Sequence, residues 1–122
     1  MSDVIKRDMY GLIEKELEAA NKKSPLFNGK HEAYAVILEE AEETHEEMIN
    51  LELALQNFWR GVKENHDPEA LHEELTAVYK FSVNLAVEAI QTAAMTRKGI
   101  LSSIELLAID QCLTDEERGV VQ

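Results

Sequence analysis

Glutamates crowd the middle of the run from His31 to Arg60, HEAYAVILEEAEETHEEMINLELALQNFWR, at positions 39, 40, 42, 43, 46 and 47. No Lys or Arg lies between Lys30 and Arg60, so nothing nearby in the chain neutralises them. At 100° per residue Glu40, Glu43 and Glu47 form one helical stripe, away from Tyr34, Leu38 and Ala41. Like charges three and four residues apart cost a helix roughly 0.2–0.5 kcal/mol per pair. A helix that stacks several such pairs is either well solvated or built to receive a cation.

A second acid stands in the opposite kind of surroundings. Between Phe81 and Thr96 the only charged residue is Glu88, with Asn84, Gln91 and Thr92 as its polar neighbours on the wheel. An unpartnered carboxylate on such an apolar face would cost several kcal/mol, so Glu88 is expected to have a partner. A short loop centred near Asn65 would set the two helices antiparallel. Glu43 and Glu88 lie almost equally far along the chain from Asn65, and so do Glu40 and Gln91. The spacing therefore predicts that the pairs face each other. Carboxylates at i and i+3 on one helix, opposite a Glu-x-x-Gln on its neighbour, suit a hard cation such as Mg²⁺, which takes oxygen ligands.

At these residues the sequence resembles the MazG-like, all-α nucleoside triphosphate pyrophosphohydrolases. Glu39-Glu40-Ala41-Glu42-Glu43 is similar to that family's EExxE motif, and Glu88-Ala89-Ile90-Gln91 stands where the family has ExxD. The likeness runs over roughly residues 14–98. It implies Mg²⁺-dependent attack of water on the α-phosphate of a (deoxy)nucleoside triphosphate, giving the monophosphate and pyrophosphate. It implies Glu40, Glu43 and Glu88 as metal ligands, with Gln91 in the fourth position and Glu39 and Glu43 as catalytic carboxylates. Three departures stand out: Gln91 is neutral where the motif has an anion, the separation of the two motifs is long for the family, and Thr44-His45 stands where a bulkier, often aromatic residue is expected.

Other residues have two readings each. Asn28 and His31 precede the acidic helix where a base could lodge, or they build its first turn. Lys80 and Lys98 project to the side of Gln91 and could meet phosphates, although Lys98 also suits a helix C-terminus. Phe58 and Trp59 read as core or subunit contact, and His45, on the apolar face, as a core histidine. No glycine-rich phosphate loop and no nucleophile with a base beside it can be found, so phosphates would be held by metal and basic side chains.

The composition supports one globular domain over 1–122: 122 residues, 45% hydrophobic, with five glycines and two prolines, which favours an all-α fold. The net charge of −12 leaves no basic stripe for nucleic acid. One cysteine, no secretory signal and no apolar run near the ~20 residues of a membrane span lead to the expectation of a soluble cytoplasmic protein, without membrane or nucleic-acid partners.

Periodicity predicts a first helix over 3–22 and the acidic helix over 30–60, with Gly61 as its C-cap. Asp67-Pro68-Glu69 restarts a third helix that runs to about Lys98, where Gly99 interrupts it. Ser102-Ser103-Ile104-Glu105 would open a fourth helix, 103–112, and Thr114-Asp115-Glu116-Glu117 a last turn. The expected fold is an antiparallel helical bundle with two long central helices, each about 45 Å at 1.5 Å per residue. Such helices outrun what one small chain can cover, so a homodimer or homotetramer is expected. The alternatives to the hydrolase are a non-catalytic helical interaction protein, favoured by Gln91, and an acidic mimic of nucleic acid, favoured by the net charge.

Overall fold

The computed structural model describes residues 2–23 and 26–102. Within them the chain forms three helices and no strand: α1 (Asp3–Asn21), α2 (Lys30–Lys63) and α3 (Pro68–Leu101). None is long and apolar enough to cross a membrane. The expected fourth helix and last turn lie outside the described residues. The chain divides into two compact units, one holding residues up to Glu40 and from Ile90 onward, the other Ala41–Ala89.

In the first unit, Ser2 caps α1 by accepting the Val4 N–H at 3.2 Å. The core gathers Leu17 of α1, Phe27 of the connecting loop, Ala33 of α2 and Ala94 of α3, each under 9% exposed. Arg97 ties α3 to α1 by donating to Glu14 at 3.0 Å. Gly99 does not interrupt α3. The helix continues through it to Leu101, with Phe27 and Ile37 3.8 and 3.7 Å from where a β-carbon would stand. A β-carbon would sit there in ordinary contact, and a helix interior tolerates the glycine at a cost of about 1 kcal/mol.

The second unit is a hairpin of two antiparallel helices. Gly61 is not the cap of α2, which runs on to Lys63. The left-handed residue is Asn65, with φ of 53°. His66 N–H returns to the Gly61 carbonyl at 2.9 Å and Asn65 N–H to that of Val62 at 3.3 Å, the paired bonds of a Schellman ending. Asp67 then caps α3 as its sequence predicts, accepting the Ala70 N–H at 2.8 Å. Across the turn, His66 Nδ1 meets Glu74 Oε1 at 2.7 Å, and the Glu74 carboxylate lies against Gly61, in the space of the missing side chain.

The hairpin buries little apolar surface. Ala54 is its one buried hydrophobic residue among those described, while Met48, Leu53, Leu55, Leu75, Tyr79 and Val87 are exposed. Polar and apolar residues share its half-buried positions, Asn50, Glu74 and Asn84 with Leu51, Phe58, Val78 and Leu85. Asn50, Asn57, Glu73 and Glu74 border a cavity of about 410 Å³ together with Leu53, Ala54, Ala77 and Phe81. His45 is exposed rather than in a core.

Candidate metal centre

The acidic stripe of α2 is formed by steps of three and four residues, so Glu40, Glu43 and Glu47 share one side of the helix. All three are half-buried. The flank expected to be buried is the open one, with Tyr34 68% and Leu38 40% exposed. The stripe is therefore the more covered side of α2.

In the hairpin, Glu43 of α2 and Glu88 of α3 bring carboxylate oxygens within 4.8 Å of each other. Glu40, one turn before Glu43 on the same unbroken helix, offers an oxygen within the same distance of Glu43. Two ligand oxygens on opposite sides of one Mg²⁺ stand about 4.2 Å apart, twice a bond of ~2.1 Å. A separation within 4.8 Å admits that spacing, and the donors are all oxygen. One turn farther along, Glu47 Oε2 is buried without a hydrogen-bond partner among the described residues.

Gln91 lies in the first unit, where it borders a cavity of about 340 Å³ with Glu40, Glu16, Lys23 and Met95. Glu40 and Gln91, expected from their spacing to face each other, thus border one cavity. Lys23 adds positive charge to that cavity. Sequence spacing does not single it out, because α1 meets these residues only through the tertiary fold.

The remaining candidates stand elsewhere. Glu39 is exposed on α2 beside Glu40. Asn28 is engaged with Glu32, which accepts from its backbone N–H at 3.2 Å and its side-chain amide at 2.9 Å. That closes the first turn of α2. His31 is exposed on the same turn. Lys80 is exposed, its ammonium 5.4 Å from the Phe81 ring centre. Lys98 is 6% exposed, its ammonium 4.8 Å from the centre of the Phe27 ring, a cation–π contact within the first unit. Trp59 is 57% exposed under Lys63. Compared with protein-family models, curated proteins and solved structures, the chain matches none.

Proposed function

We propose that this protein is a Mg²⁺-dependent nucleoside triphosphate pyrophosphohydrolase of the cytoplasm, converting a (deoxy)nucleoside triphosphate to the monophosphate and pyrophosphate. One observation carries the reading: Glu43 and Glu88, from different helices, hold carboxylate oxygens within 4.8 Å of each other, with Glu40 a turn away. Like charges brought together cost the fold, and a divalent ion held between them would offset that cost.

Glu40, Glu43 and Glu88 would hold the ion, with Gln91 as a neutral oxygen donor beside Glu40. Mg²⁺, when bound, supplies a Lewis acid to phosphate oxygens and makes bound water more acidic. The chain's own residues supply the rest. The cavity beside Glu40 has room for part of a nucleotide, and Lys23 on its wall offers charge to the phosphates. Glu39, exposed next to Glu40, orients water and accepts its proton as the oxygen adds to the α-phosphorus and pyrophosphate leaves.

A non-catalytic interaction protein is the second reading, favoured by Gln91 in place of an anion. Incubation with a panel of nucleoside triphosphates and Mg²⁺, reading pyrophosphate, separates the two. The hydrolase releases pyrophosphate, loses it with chelator and loses it in Glu43→Gln. No release with any triphosphate leaves the interaction protein.

A further inference from the structure

The hairpin Ala41–Ala89 holds a cavity of about 410 Å³ that the metal centre does not use. Its wall changes character along its length. Asn57 of α2 stands at the end nearer the Asn65 turn, with Glu73 and Glu74 of α3. Leu53, Ala54 and Ala77 form the middle, and Asn50 and Phe81 the far end. The antiparallel register sets these groups level. Asn50 and Phe81 lie almost equally far along the chain from Asn65, and so do Ala54 and Ala77. The result is a slot that is acidic at one end, apolar between and polar at the other.

The charge of that slot has one sign. No Lys, Arg or His lines it. Arg60, which donates to Asn57 Oδ1 at 2.7 Å, is not part of the wall. Glu74 is 19% exposed and fixed in place, because His66 Nδ1 meets its Oε1 at 2.7 Å. Its Oε2 is buried with no hydrogen-bond partner among the described residues. A covered carboxylate with one oxygen unpaired favours a cation beside it.

We propose that this slot binds a linear aliphatic diamine. One ammonium meets the carboxylate end at Glu73 and Glu74, and the methylenes lie along Leu53, Ala54 and Ala77. The second ammonium meets Asn50 Oδ1 and the face of Phe81. Length agrees. Asn50 and Asn57 are seven residues apart on one helix, about 10 Å. Five methylenes set two ammonium groups about 7.5 Å apart, and a hydrogen bond of about 2.8 Å at either end closes the span. Other ligands leave part of the wall unanswered. A hydrated metal ion has no use for the apolar middle, a neutral alcohol leaves the acids without counter-charge, and a phosphate is repelled by them. The proposal stands whether or not the hydrolase reading does.

Titration of the full chain with 1,5-diaminopentane at low salt, followed by NMR, tests it. Binding with a dissociation constant of about 0.1–1 mM is expected for so small a ligand. The diamine's methylene protons should show cross-relaxation to the Phe81 ring and the Ala77 methyl group. Glu73→Gln, at an exposed position that does not endanger the fold, should weaken binding about fivefold. Glu52→Gln removes the same charge from outside the slot and should change binding less than about twofold. Glu43→Gln should leave it equally intact, and 1,5-pentanediol should not bind. No binding at about 10 mM diamine overturns the proposal. Equal weakening by Glu73→Gln and Glu52→Gln overturns it too, as the mark of general attraction to an acidic chain. So does loss of binding in Glu43→Gln, which would put the amine at the metal centre.

Discussion

The carboxylates of Glu43 and Glu88 stand within 4.8 Å of each other on two different helices. At an effective dielectric constant of about 20, two unit charges at that separation repel by about 3 kcal/mol, and solvent around half-buried groups reduces this to about 1–2 kcal/mol. Removing one charge should therefore stabilise the protein when no divalent ion is present. Glu43→Gln should unfold at a higher temperature in chelator than the unaltered chain. It should also lose most of the upward shift that Mg²⁺ gives, which amounts to about 2.7 kcal/mol at a hundred times the dissociation constant. Differential scanning in chelator and in Mg²⁺ checks both halves. A Mg²⁺ shift of equal size in both proteins refutes the site.

Gln91 borders the same cavity as Glu40 and offers one neutral oxygen donor. Gln91→Asp supplies an anion at that place, and carboxylates are the preferred partners of a hard cation. About tenfold tighter Mg²⁺ binding is expected, read as a lower midpoint in a calorimetric or thermal-shift titration. Unchanged binding would mean that Gln91 lies outside the ion's reach.

At the tip of the hairpin, Gly61 and Glu74 contend for one space. An alanine at 61 would gain about 1 kcal/mol of helix propensity, yet it would displace a carboxylate that His66 holds at 2.7 Å. Losing that bond costs about the same, since Glu74 is 19% exposed. Gly61→Ala alone should thus change stability little. In a Glu74→Ala background it should stabilise by about 1 kcal/mol. Urea unfolding of the four members of the cycle gives the coupling, and strict additivity would show that the two positions do not compete.

Asp67 caps α3 through a 2.8 Å bond from Ala70. Asp67→Ala should cost about 1 kcal/mol and Asp67→Asn much less, because asparagine caps nearly as well. Urea midpoints measure the difference. Equal losses in the two variants would mean that the aspartate contributes by its charge and not by its cap.

Much of this arrangement could be read from the residues, and the exceptions share a cause. Asp67-Pro68-Glu69 encodes a restart through local hydrogen bonding and a fixed φ, so it is legible without the fold. The antiparallel register follows from the same turn, and with it the meeting of Glu43 and Glu88. Gly61 and Gly99 mislead because each resembles a stop while the helix runs through it, Gly61 lying against the Glu74 carboxylate and Gly99 beside Phe27 and Ile37. Nothing adjacent in sequence announces those neighbours. The acidic stripe of α2 misleads for a related reason. Two stripes of equal period run side by side on that helix, and a helical wheel ranks them by polarity alone. Which one turns inward is decided by α3, whose own inner seam carries Glu74, Asn84 and Glu88.

The inward acids bear on how the hairpin comes to be closed. In most helix pairs, collapse drives contact, because the touching sides are oily. Here the last turns of zipping from the Asn65 corner bring Glu43 toward Glu88, anion toward anion, against a rising electrostatic field. Dissolved electrolyte then becomes a reagent of folding, with closure quickest where counter-ions are abundant and slowest in deionised water.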